Sequence, residues 1–149
     1  MMTLFEQLRV EWSQLGASAP AKAAVEAWGR DDPALAGFPD LLEVVRFVHR
    51  SGTGPRGDAV LACLAGRAPS DPLAARTLLH VVFYGLMRIT SDLCTAASSP
   101  EEAASIVVAE AYQRICTYPV ERRPRSIAAN ILLDTRQGVS RSLCRRRVH

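Results

Sequence analysis

The amino-acid sequence predicts an all-α fold, a multi-helix bundle of five to seven helices. Three observations carry this expectation. Apolar residues recur every three or four positions along most of the chain. Capping side chains followed by proline or glutamate mark several helix starts. No stretch alternates apolar and polar residues for long enough to make a strand.

The elements follow in order. Thr3 to Glu6 reads TLFE, a capping box in which hydroxyl and carboxylate satisfy the unpaired amides of a first turn. Phe5, Leu8, Trp12 and Leu15 then form one apolar stripe, ended by Gly16. A short helix is expected over 21–28, stopped by Gly29, and a loop over 30–39, which holds Asp31, Asp32, Pro33, Gly37 and Pro39. Residues 40–50 read as a helix burying Leu41, Val44, Val45 and Val48. The glycine-rich segment SGTGPRGD at 51–58 is a flexible connector into a short helix over 58–64. Ser70, Asp71 and Pro72 place a capping side chain before a proline whose missing N–H costs nothing at the first helical position. That helix should run over 71–93, with Leu78, Val82, Leu86 and Ile89 facing inward. Ser99, Pro100 and Glu102 repeat the start signal for a helix over 100–117, carrying Ile106, Val107, Glu110, Tyr112 and Ile115. A Pro-rich corner, TYPVERRPR, leads to a last helix over 125–137, anchored by Ile127, Ile131 and Leu132 and ended by Gly138.

A chain of 149 residues and 16.2 kDa is the size of one domain. It buries enough surface to need neither metal nor disulfide. Its longest uncharged apolar stretch, 77–87, contains His80 and Gly85 and is too short to span a bilayer. Glu6 and Glu11 interrupt the start, which does not read as a secretory signal. The expectation is a cytoplasmic domain with no membrane partner. Lys22 is the single lysine beside seventeen arginines, as in proteins of GC-rich genomes. Charge is uneven: residues 1–99 hold nine basic and ten acidic side chains, residues 100–149 nine and five. Within 121–149, eight arginines face only Glu121 and Asp134. Such an end suits phosphates or an acidic partner, and it serves equally as a solvated basic tail.

Catalytic and metal chemistry find no constellation. Cys63, Cys94, Cys116 and Cys144 are 31, 22 and 28 residues apart, far from the spacing of a zinc site or redox dithiol. Three of them sit among apolar neighbours, where a free cysteine acts as a small hydrophobe. His80 lies in the apolar run LLHVVF, the setting of a hydrogen-bonded core histidine. The connector lacks the Lys-Ser/Thr pair of a phosphate-cradling loop, and no hydrolase or dinucleotide fingerprint occurs. No enzyme and no cofactor is expected.

From Asp71 onward, the order of helices and three local motifs resemble region 2 of bacterial sigma factors. Those motifs are SDPLAARTLLHVVFYGLMRI at 70–89, PEEAASIVVAEAYQRI at 100–115 and RRPRSIAANILLDTR at 122–136. Ile127-Ala128, Asn130 and Asp134 fall in the register of that family's IA-x-N-x-x-x-D core, with Arg136 just beyond. The wider pattern TYP-x-x-RRP-x-x-x-AAN-x-LLDTR is similar to a group of actinobacterial sigma-like proteins of undefined role. The resemblance covers fewer than 80 residues. Together with the glycine-rich boundary at 51–57 and the basic end, it divides the chain into four sections: an N-terminal helical section at 1–50, a connector with a short helix at 51–69, a sigma region 2-like unit at 70–138, and a basic C-terminal tail at 139–149.

The departures from that family matter for function. Where its melting helix brings aromatic side chains to stack on unpaired bases, this chain has Arg123, Pro124, Arg125 and Ser126. Phosphate contact survives that change and base capture does not. In the polymerase-facing helix, polar positions become Ile106 and Ala109, leaving Glu110 as the charged match. No room follows Gly138 for a helix-turn-helix domain, so an ordinary stand-alone promoter initiator is not expected. The resemblance implies a non-catalytic transcriptional accessory that binds DNA, RNA polymerase or another transcription protein. Its nucleic-acid face would comprise Arg122, Arg123, Arg125, Asn130, Arg136 and Arg141, with Arg145, Arg146 and Arg147 as a mobile arm. Its protein-binding face would hold Ile106 and Glu110. Asn130 and Asp134, one helical turn apart, also suit a structural pair or a local backbone hydrogen bond. The alternative function is a protein-protein adaptor on a degenerate sigma-like scaffold without DNA binding, motivated by an exposed Ile106/Val107 patch.

Overall fold

The computed structural model describes residues 1–51, 54–94 and 99–148; Gly52 and Thr53 of the expected connector, His149, and the side chains of Arg146, Arg147 and Val148 lie outside the described residues. Those residues form eight α-helices, one 3-10 turn and no strand. In chain order they are α1 (Leu4–Leu15), α2 (Ala19–Asp31), the 3-10 turn Pro33–Leu35, α3 (Leu41–Ser51), α4 (Pro55–Arg67), α5 (Pro72–Val81), α6 (Phe83–Leu93), α7 (Pro100–Cys116) and α8 (Ile127–Val148). None of these helices is long and apolar enough to cross a membrane.

Local chemistry sets most of the starts. At α1 the expected capping box is complete: the Thr3 hydroxyl accepts from the Glu6 amide at 3.2 Å, and the Glu6 carboxylate accepts from the Thr3 amide at 3.1 Å. Asp40 caps α3, its carboxylate 2.9 Å from the Glu43 amide. Asp71 caps α5 and Ser99 caps α7, each with proline in the first turn.

Four elements differ from their expected bounds. The helix expected over 71–93 breaks at Val82, whose φ and ψ are −92° and 5°. Two contacts accompany the break: His49 donates from Nε2 to the Val81 carbonyl at 3.0 Å, and the Phe83 ring stacks on His80 at 5.3 Å. A partner from α3 thus takes a carbonyl that a continuous helix would use itself. Helix α4 begins three residues earlier than expected, with Pro55 in its first turn, and extends to Arg67. Gly29 and Gly138, expected as stops, both lie inside helices. A Cβ on Gly29 would come 3.0 Å from the Ala36 Cα, and one on Gly138 would overlap the Glu110 carboxylate. Each glycine admits a close neighbour rather than ending its helix. Consequently residues 139–148 are not a tail: α8 continues, with Val139 and Leu143 buried.

One hydrophobic core runs from Phe5 to Leu143. Helix α7 packs along α6 and α8, and α4 packs on α5. Apart from Gly138, the buried positions among the described side chains of α8 are Ile127, Ile131, Thr135, Val139 and Leu143, a ridge of every fourth residue. The N-terminal helix joins this core through Arg76 of α5. Its guanidinium donates to the Leu8 carbonyl at 3.3 Å, the Glu11 carboxylate at 3.1 Å and His80 Nε2 at 3.0 Å. The His80 ring lies flat against Trp12, 4.4 Å between centroids. At the far end of α2, Arg67 bonds Asp32 at 2.5 Å and lies over the Trp28 ring.

Burial, followed by the Arg76 charge, lowers the pKa of His80 from 6.5 to about 3. Between those values the unfolded chain binds a proton there and the folded chain does not. Stability is therefore expected to fall as pH drops below about 6.5, with a slope of about 1.4 kcal/mol per pH unit from this residue near pH 5. Urea titrations from pH 7 to pH 4 should show a flatter profile for His80→Gln, which keeps an acceptor for Arg76; identical profiles would mean His80 titrates normally. Gly138→Ala separates the two roles of that glycine. Displacing the flexible Glu110 carboxylate should offset the roughly 1 kcal/mol gain in helix propensity, leaving the midpoint nearly unchanged. A helix stop at Gly138 would instead give a large loss.

Candidate nucleic-acid interface

The corner between α7 and α8 is closed by its own side chains. Tyr118 is buried, 6% exposed, and its hydroxyl donates to the Arg123 carbonyl at 2.6 Å. The same hydroxyl accepts from Asn130 Nδ2 at 3.1 Å, and Nδ2 donates again to the Arg125 carbonyl at 3.0 Å. Arg123 turns back over the Tyr118 ring and bonds Asp134 at 2.8 Å. That hydrogen bond raises the Arg123 pKa further above its ordinary value. Ser126, at φ 55°, sets the chain into α8, where the Asn130 amide donates to its carbonyl at 2.9 Å. Two polar groups on successive turns of α8, Asn130 and Asp134, thus hold two points of the loop.

This arrangement sorts the expected binding residues. Arg122, Arg123, Arg125 and Asn130 do meet at one corner, but with different tasks. Arg123 is neutralised by Asp134, and the Asn130 amide is occupied by the clasp. Arg122 and Arg125 are exposed and have no carboxylate partner among the described residues. Arg125 borders a shallow cleft against Pro55, Asp58 and Ala62 of α4. Arg136 leaves the group: it bonds Asp92 of α6 at 2.7 Å. Arg141 and Arg145 are exposed on α8 one turn apart, with Arg141 about 21 Å along the helix from Ile127 at 1.5 Å per residue. The basic residues therefore form an extended strip of uneven availability, not a single cluster.

The expected protein-binding face is altered more. Val107 is fully buried, and Ile106 packs, half-buried, against the core, so no exposed Ile106/Val107 patch exists. The Glu110 carboxylate pairs with Arg114 at 2.8 Å and sits against Gly138. Among the cysteines, burial pushes the Cys63 thiol up, and the Asp32 carboxylate adds to the shift, which disfavours a thiolate. No group of three metal-ligating side chains comes together among the described residues.

The pairs Arg123–Asp134 and Arg136–Asp92 were absent from the sequence-based expectations. The first had a signal, since Asp134 is the lone acidic residue among the arginines of 122–149 and so a natural partner for one of them. The second joins residues 44 positions apart and had none. No family model, curated protein or solved structure matches the chain.

Tyr118→Phe deletes the hydroxyl that joins Arg123 and Asn130 and should cost about 1–2 kcal/mol in urea unfolding. Arg122→Ala, at an exposed and unpaired position, should change stability by less than about 0.5 kcal/mol. Equal effects would show that the clasp adds no more stability than an ordinary surface position.

Proposed function

We propose that this chain is a non-catalytic transcriptional accessory built on a sigma region 2-like helical unit, which holds nucleic-acid phosphate at the α7–α8 corner. The carrying observation is the division of labour there. Arg123 is consumed in fastening the loop, while Arg122 and Arg125 on either side are left exposed and unpaired. Both precede the start of α8, where the helix dipole favours anions. Arg141 and Arg145 extend the positive surface along the same helix.

The binding is to backbone and not to bases. Asn130, the one amide in the motif, is committed to the corner, and the corner offers no exposed aromatic ring. Phosphate contacts position a protein without reading sequence. RNA polymerase or another transcription protein is the protein partner that fits this role. The exposed Ile106/Val107 patch that motivated an adaptor role without DNA is absent, since Val107 is buried.

Fluorescence anisotropy on labelled duplexes tests the proposal. If Arg122, Arg125, Arg141 and Arg145 each neutralise one phosphate, the log-log salt slope should be about −3.6. Promoter-like and random duplexes should bind within a few-fold of each other. Arg122→Glu with Arg125→Glu should remove most of the affinity. A salt-independent signal, or full affinity in the double variant, would overturn the assignment.

A further inference from the structure

Helices α1, α3, α5 and α6 line an open cavity of about 250 Å³. Trp12, His49, Phe83 and Tyr84 supply aromatic walls, and Arg9 and Arg46 supply two guanidinium groups; no carboxylate lines it. Tyr84 is 63% exposed, a large ring left in solvent although the neighbouring Phe83 is buried. It stands 5.9 Å from the His49 ring and 5.9 Å from the Phe83 ring, tilted to the first and perpendicular to the second. Arg9 lies over Phe83 at 5.8 Å and has no carboxylate partner among the described residues. Arg46 pairs with Glu43, which leaves Arg9 as the available cation.

The walls are held from behind. His49 is pinned by its bond to the Val81 carbonyl, and Trp12 by its stack on His80, which Arg76 fixes in turn. His49 and Trp12 therefore form a preformed wall, and a ligand would have to order only the exposed side chains of Tyr84 and Arg9. The chemistry is that of a flat aromatic group carrying negative charge: ring faces take a base, and a guanidinium takes its phosphate.

We propose that this cavity binds a nucleoside phosphate, its base against Tyr84 and His49 and its phosphate at Arg9. The same chemistry is offered by a free mononucleotide and by one nucleotide of a single strand. The site is separate from the α7–α8 corner and does not depend on it.

Isothermal titration calorimetry on the full chain tests the assignment with AMP, adenosine, inorganic phosphate, benzoate and a short single-stranded oligodeoxyadenylate. AMP should bind saturably with one site, about tenfold or more tighter than adenosine or phosphate alone. Tyr84→Ala and Arg9→Ala should each weaken AMP by about tenfold. Both side chains are exposed, so thermal melts of the two variants should match the parent. Arg125→Glu should leave AMP affinity unchanged, which separates this site from the corner. Tighter binding of the oligonucleotide than of AMP would identify a strand as the source, and the reverse a free nucleotide. No heat with AMP or oligonucleotide at millimolar concentration, benzoate binding as tightly as AMP, or affinity indifferent to both Tyr84 and Arg9 would overturn the proposal.

Discussion

The guanidinium of Arg76 is the constraint on which the arrangement of this molecule turns. Its side chain is 19% exposed, so its charge needs partners close at hand. It finds three: a backbone carbonyl and a carboxylate on α1, and the imidazole of His80 one turn along its own helix. Because Arg76 donates to Nε2, the imidazole must be neutral with its proton on Nδ1. A neutral, oriented ring can then lie flat on Trp12 and take Phe83 on its other side. One cation thus fixes the protonation state of a buried histidine, docks α1 and anchors an aromatic stack at the point where α5 gives way to α6.

That stack links parts of the chain that composition alone separates. The N-terminal helices are not an appendage to a C-terminal unit, since Phe5, Trp12 and Val44 share one core with Leu86, Val107 and Ile131. Packing of α3 against α5 brings His49 to the Val81 carbonyl, and the bend at Val82 follows at that contact. The bend sends Tyr84 outward beside His49 while Phe83 stays in. The aromatic cavity is in this sense a by-product of how α1 and α3 are fastened to α5.

The α7–α8 corner works by a different principle. There the polar groups are few and each is used twice: the Tyr118 hydroxyl donates and accepts, and Asn130 donates from both amide hydrogens. Full use of donors and acceptors makes a Pro-rich loop rigid without burying much apolar surface. It also decides where charge is free. A row of arginines in sequence looks uniform, yet the third dimension spends Arg123 and Arg136 on Asp134 and Asp92 and leaves Arg122 and Arg125 to solvent.

The sequence by itself determined the helical class, the capped starts of α1, α5 and α7, and most of the buried faces, because these depend on residues within one or two turns of each other. The length of α8 was misjudged, although Ile127, Ile131, Thr135, Val139 and Leu143 keep a spacing of four straight through Gly138. The glycine outweighed that pattern because a missing side chain is compatible both with a stop and with a close neighbour. Only the tertiary structure decided between those, as it decided the break at Val82, the burial of Val107 and the fate of each arginine. Every one of these depends on what another helix brings within a few ångströms, and that is set by packing across tens of residues, which local spacing does not encode.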